Sequence, residues 1–500
     1  MRKYIISIFF YVLFFMTPAY ALCSAQVKNN EYLVLANQSI KNDSDWNKVV
    51  QKLSTKHDNA PVIYYEQYPD ELLSQVRKIK PKYVGIVDKP EYLNREFIIR
   101  LNRFSRTIDD DIYVDFLWGV ITGYKAASAE KMVDNSTEPL IIKSCVSTIM
   151  ETDEGKWFDS YAYMDDQNMG IYGYKMPGDK SVKRERLLKT IPATRGSQQV
   201  PDLLPIFYEM YEKVDPDLII TASHASEKAL EMPFSAGFIK AKDGELYAEL
   251  PEGNKKLVES GKRRVYLPIG NCLIGNIDNT KNSMAIAWMN SANVTTFVGY
   301  VVSTWYGRSG WGGLKYFLTS PGRYTIAESF FLNQQDMLAQ MNNMYPKILD
   351  EPYTYNESNI MSLAAERLEE VLDRKPTNDE VGFWYDLDIL ALYGDPKWDV
   401  RLIDKPEERD FTVTGEYRDK QYILTINTGI NYSHRLVSGD HFKEVHVLDL
   451  PFSHIFPERL NNPRLADGQN WDIVLDENFI LLYNNVFGPN NTYQIILNVD

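Results

Sequence analysis

Between residues 32 and 302 the chain repeatedly sets a short, almost wholly apolar run against an amphipathic segment, and this alternation restricts its fold more than any other feature. YLVLA (32–36), PVIYY (61–65) and YVGIV (83–87) have the length and residue types of buried strands. Between the last two lies DELLSQVRKI, where Leu72, Leu73, Val76 and Ile79 recur at helical spacing. Parallel strands need a crossover, usually helical, so the pattern predicts an α/β fold with a parallel sheet. Further buried-strand candidates follow at 140–149, 217–223, 265–270 and 294–302, with helices at 200–213 and 325–343. ESNIMSLAAERLEEVLD (357–373) has the strongest helical pattern, with Ile360, Leu363, Ala364, Leu368 and Val371 on one face.

After about residue 408 the texture changes. FTVTGEY, QYILTINTG, KEVHVLDL, NFILLYNNVF and TYQIILNV are short runs punctuated by Gly, Asn and Asp, the pattern of a small antiparallel β-sandwich. Five hundred residues suit two or three domains. The expected division is a signal peptide at 1–25, an α/β region at 26–345 with an internal boundary near 150–200, a connecting and closing segment at 346–407, and the sandwich at 408–500. Residues 346–358 read as a connection.

The beginning of the chain bears on compartment. Arg2 and Lys3 precede YIISIFFYVLFFM and then Ala19-Tyr20-Ala21, the order of a secretory signal, with cleavage after Ala21 or Ala25. Leu22 before Cys23 is too large for a lipoprotein signal, so a secreted, periplasmic or cell-surface product without a lipid anchor is expected. No later run approaches the ~20 apolar residues of a membrane span. With 54 Lys+Arg against 68 Asp+Glu, the net charge of −14 argues against a nucleic-acid partner, which requires a basic face. If Cys23 leaves with the signal, as cleavage after Ala25 implies, Cys145 and Cys272 remain, too few for a disulfide scaffold.

VYLPIGNCLIG (265–275) places Cys272 where a buried strand ends. Packing is the ordinary role of such a thiol; nucleophilic work needs a base or positive field nearby. Of the six histidines, His57 lies near the beginning and His434, His441, His446 and His454 in the C-terminal β region. His224 alone belongs to the central sheet, closing DLIITAS as Cys272 closes its own strand. Successive parallel strands end on the same carboxyl edge, where open α/β folds place their sites.

A histidine ending one strand and a cysteine ending the next about 50 residues later is the caspase spacing. Three further stretches narrow the likeness. DDDIYVDFLWGVITGYKAASAEKMV (109–133), FVGYVVSTWYG (297–307) and LALYGDP (390–396) resemble, in this order, segments of gingipain-type cysteine peptidases. The resemblance runs over roughly residues 30–500. It implies a caspase-like catalytic domain with helices on both faces of its sheet, followed by an immunoglobulin-like β-sandwich. It implies an exported cysteine endopeptidase acting on protein or peptide substrates through a thioester acyl-enzyme. Cys272 would be the nucleophile, His224 the general base and acid, the N–H groups of Cys272 and Ala225 the oxyanion hole, and Trp305 with Tyr306 the wall of the specificity pocket. Ala225 and Asn271 depart from the family, which usually has Gly after the histidine and often Ala or Ser before the cysteine. The alternative is a catalytically silent relative that binds a peptide or protein partner.

Asp109, Asp110, Asp111 and Asp115 form an acidic cluster. With Trp305 beside them, Asp111 and Asp115 would favour an arginine before the cleaved bond, and KRR at 262–264 would be a self-cleavage site. The resemblance requires no cofactor, but Asp109–Asp111 could instead take Ca²⁺ as a structural ion, as gingipain-type enzymes do. Glu227 reads as a solvent-facing carboxylate of a first helical turn, Cys145 as core, and KSVKRERLLK (180–189) as a solvated face. The C-terminal histidines lack the paired spacing of a zinc site. Gly270 and Gly275 lack the order of a nucleotide loop.

Overall fold

A computed structural model describes residues 31–500 except 151, 153–154, 251, 258–260, 305–306, 345, 350–359, 407–410, 431, 433–449 and 484–486. The expected signal peptide, Trp305, Tyr306, most of the 346–358 connection, and His434, His441 and His446 lie outside the described residues.

Twelve strands form one central sheet: β1 Tyr32–Asn37, β2 Val62–Tyr65, β3 Tyr83–Val87, β4 Leu117–Ile121, β5 Ser144–Ser147, β6 Ser160–Met164, β7 Ile171–Lys175, β8 Lys183–Arg186, β9 Leu218–Ile220, β10 Arg264–Leu267, β11 Val294–Tyr300 and β12 Leu390–Tyr393. Their order is β2-β1-β3-β4-β12-β11-β10-β9-β5-β6-β7-β8. Helices α1 Ser44–Lys56, α2 Leu73–Ile79, α3 Arg95–Phe104, α4 Ala126–Asn135, α5 Leu203–Val214, α6 Met284–Ser291, α7 Arg308–Thr319, α8 Ile326–Met344, α9 Ile360–Leu372 and α10 Asn378–Asp386 accompany it. Strands β1, β3, β9, β10 and β11 are buried along their length, which is why they read as continuous apolar runs. No described helix is long and apolar enough to cross a membrane.

The sheet is not parallel throughout. β12 pairs parallel with β4 and antiparallel with β11, so the blocks on either side of it run in opposite directions. β7 and β8 add an antiparallel edge. The seam is tight: a Cβ on Gly119 would lie 2.2 Å from the Gly394 carbonyl oxygen, and Gly394 has φ +130°. Just beyond it, buried Asp395 accepts hydrogen bonds from Lys56 Nζ at 2.6 Å and Tyr32 Oη at 3.0 Å, and pairs with His57 Nε2 at 2.7 Å. Burial pushes this carboxyl up, but His57 and Lys56 outweigh it and hold Asp395 below the usual carboxylate range. A late strand is thereby fastened to the first helix.

Among the described residues of 411–499, the strands form two small antiparallel sheets around a second core that includes Leu424, Ile426, Phe456, Ile480 and Leu497. This is the β-sandwich expected from the sequence. Phe479 and Leu481 belong instead to the main core, and Phe479 packs edge-on against Tyr113 and Phe331.

Candidate active site

β9 and β10 pair in parallel, Ile220 opposite Leu267, and each ends in a loop carrying one reactive side chain. Four residues beyond Ile220 stands His224; five beyond Leu267 stands Cys272. Both side chains line one cleft of about 490 Å³, together with Gln198, Thr304 and Trp311. The structure therefore brings the two residues together, while exposed His224 and half-buried Cys272 make the site accessible.

Asn271, wholly buried, links the two loops. Its Nδ2 donates to the Ser223 carbonyl at 2.8 Å, and its Oδ1 accepts from Thr221 Oγ1 at 2.6 Å. The departure noted before Cys272 is thus a strut between the strand ends. Gly270 is required for their approach, because a Cβ there would lie 2.8 Å from Ala222 Cβ. Immediately after the cysteine, Leu273 has φ +60°, a left-handed conformation in which any Cβ crowds the backbone carbonyl. Its N–H donates to the Val302 carbonyl at 3.0 Å, which holds the turn.

The backbone at the histidine bears on the second departure. Ala225 opposes Leu230 in an antiparallel bridge whose bonds run from Ser226 N–H to Ala229 and from Glu231 N–H to His224. Both bonds flank Ala225, so its own N–H is not spent in the bridge. Ala225 is not at positive φ, and glycine is not needed there.

Burial pushes the Cys272 thiol above its ordinary value, Asp386 adds to the rise, and the Arg195 guanidinium acts against it. Cys272 Sγ approaches the Thr304 carbonyl oxygen at 3.9 Å. Arg195 pairs with buried Glu231 at 3.1 Å, so the loop from residue 190 to 201 is tied to the histidine loop beside the thiol.

Asp111 and Asp115 do not line this cleft. Asp115 is buried, its carbonyl accepting from Arg459 Nη2 at 2.8 Å and Asn478 Nδ2 at 2.7 Å, against the C-terminal sandwich. Asp109, Asp111 and Asp476 each offer an oxygen within 4.8 Å of the others. Three carboxylates supply hard donors of the class calcium takes, though fewer than its six to eight ligands; Asp110 is not among them. Charge pattern could not tell the cleft from this junction, because the partners come from residues 459–478. Among the described residues, the carboxylate that does line the cleft is Asp166. It stands two residues beyond β6, whose apolar run SYAYM ends in Asp165-Asp166, so the strand-end rule that found His224 and Cys272 would have found it too.

KRR is not an exposed loop. Arg264 lies within β10, 1% exposed and paired with Asp215, and Arg263 donates to the carbonyls of Asn135 and Glu138. Glu227 lies in no helix; it accepts from Asn276 Nδ2 at 3.3 Å and lies 3.9 Å from Arg95. Cys145 is fully buried in β5, a free thiol that burial pushes well up. Strand β8 (KRER) is exposed, a solvated face as expected.

No protein-family model and no curated protein sequence matches the chain. Solved structures do. A crystal structure of the Arg-specific cysteine proteinase gingipain R aligns over 95% of this chain and 92% of that one, at 9% identity and TM-score 0.44. A complex of Porphyromonas gingivalis RgpB pro- and mature domains aligns over 94% and 93%, at 10% identity and TM-score 0.40. Over nearly its whole length, the chain is similar to structures of gingipain-type cysteine proteinases.

Proposed function

We propose that the chain is an exported cysteine endopeptidase whose nucleophile is Cys272 and whose general base and acid is His224. The observation that carries this reading is that both side chains stand at adjacent parallel strand ends and line one open cleft. Burial favours the neutral thiol, so the proton must leave as attack occurs, and His224 is the histidine lining the cleft. The Sγ–carbon bond forms at the substrate carbonyl while the oxygen takes up charge facing the N–H groups of Cys272 and Ala225. His224 returns the proton to the leaving amine as the carbon–nitrogen bond breaks, leaving a thioester. It then takes a proton from water, whose oxygen attacks the thioester carbon; the carbon–sulfur bond breaks to release the acid, and His224 passes that proton to Sγ to restore the thiol.

Asp166 supports a basic side chain before the cleaved bond, since an arginine would meet a carboxylate in the cleft. An acyloxymethyl ketone probe tests the reading: it should label Cys272 and not Cys145, and labelling should vanish in His224→Ala. Equal slow labelling of both thiols, unchanged in that variant, would leave the cleft as a peptide-binding surface.

A further inference from the structure

A larger cavity, of about 640 Å³, opens at the carboxyl ends of β1, β2 and β3, within the roughly 300–1,000 Å³ usual for small-ligand sites. Its position follows from topology. In the order β2-β1-β3-β4 the chain leaves β1 toward one side to make β2, then crosses back to make β3. The loops after β1 and β3 therefore diverge and leave a crevice at the carboxyl edge, the place where open α/β sheets bind ligands. Asn37 and Gln38 follow β1, Gln67 and Tyr68 follow β2, and Tyr92 and Asn94 follow β3, all lining the cavity.

The lining selects the chemistry. No lysine, arginine or histidine is among the lining residues, and Glu66 and Glu91 are. Phosphates and carboxylates would meet repulsion without a charge-assisted donor. The helix N-termini beside the cavity offer an anion little either. Asp43 already accepts from the N–H groups of Asp45 and Trp46, and Asn94 from that of Phe97. What remains is a set of neutral amides and hydroxyls with two aromatic rings; Asn37, Asn94 and Asn279 each hold one donor and one acceptor bond within the fold, which fixes their orientation and leaves each amide its second hydrogen and lone pair. Tyr92 is 44% exposed, and Tyr68 is backed by Arg100, whose guanidinium carbon sits 3.9 Å from the ring centroid. Amide groups donate to and accept from hydroxyls at once, and an aromatic face covers the C–H face of a pyranose ring.

We propose that this crevice is a second ligand site, distinct from the Cys272 cleft, that binds a neutral carbohydrate. Asn279 couples it to the chain leaving Cys272. Its N–H donates to the Leu93 carbonyl and its Nδ2 to the Glu91 carbonyl, both at 2.9 Å, and its Oδ1 accepts from Asn94 Nδ2 at 3.2 Å. The site stands independently of the peptidase reading.

The test uses the full chain carrying Cys272→Ala, with maltotetraose, chitotetraose and mannotetraose as probes in saturation-transfer NMR and calorimetry. At least one should bind with a dissociation constant at or below about 1 mM. Tyr92→Ala and Asn42→Ala alter exposed side chains; each should weaken that binding about tenfold or more, a loss near 1.4 kcal/mol, with an unchanged melting temperature. Three results would overturn the proposal: no tetrasaccharide binding, binding that survives both substitutions, or binding of spermidine alone, which would make the cavity a cation site governed by Glu66 and Glu91.

Discussion

Asn271 Nδ2 donates to the Ser223 carbonyl at 2.8 Å and so joins the residue before Cys272 to the residue before His224. The loops of the candidate dyad are thus joined through the residues that precede it. Asn271→Ala removes this bond and one of the two partners of buried Thr221 Oγ1, which keeps Tyr266 Oη at 2.9 Å, at a cost of about 1–3 kcal/mol. Misplacing the loops should lower kcat about 10- to 100-fold, with KM changed far less. Peptidase kinetics alongside thermal melts check this; a KM effect alone would assign Asn271 to substrate binding.

Cys272→Ser and His224→Ala should each abolish peptide hydrolysis while moving stability by no more than about 1 kcal/mol, because neither side chain is in the packed core. Denaturant titration of both variants measures it. An unfolded Cys272→Ser would return the thiol to a packing role.

Peptides ending in Arg, Lys, Asp or Asn before a reporter should separate on the charge of Asp166. Turnover of the Arg peptide should be highest, and Asp166→Asn should reduce it about tenfold or more, near the 1.5–3 kcal/mol of a charge-assisted hydrogen bond, without a similar loss on the Asn peptide. Turnover of Asp or Asn peptides with the Arg peptide untouched would remove Asp166 from the specificity pocket.

His454 sets a pH dependence in the C-terminal sandwich. Its Nε2 is enclosed and has no hydrogen-bond partner among the described residues, and burial, then the charges of Arg323 and Lys82, push it down to about 4. The unfolded ring titrates near ~6.5, so between these values the unfolded chain binds more protons. The contribution is whole above pH ~6.5 and is lost as pH falls toward 4, by at most about 3 kcal/mol. Urea midpoints at pH 7 and 4.5 should differ more for the wild type than for His454→Gln. Equal differences would mean that His454 is already protonated in the fold.

The segment 408–500, expressed alone, should unfold cooperatively through its own core. It should be less stable than in the full chain. Docking supplies Asn478 to the Asp115 carbonyl and Tyr324 Oη to the Ser453 carbonyl at 2.6 Å, and Phe479 packs into the main core. A broad, noncooperative transition would make the sandwich a layer of the larger body.

The strand ends carrying His224 and Cys272 were legible because a buried parallel strand has to be apolar along its length, so the first polar or reactive residue after the run marks the sheet edge. The same local logic located β1, β3 and β11 and the helix at 360–372, and it read small antiparallel sheets in the C-terminal part. Local pattern fixes a period and a boundary; it carries no information about which distant loop arrives beside a given one. Tertiary structure alone decided that Asp111 and Asp115 lie against the sandwich rather than in the cleft, and that β12, nearly 90 residues after β11, enters between β4 and β11. It also decided that Asn271 is a strut and that Arg264 is buried. Each of these depends on contacts between residues far apart in sequence, and only the assembled fold brings them together.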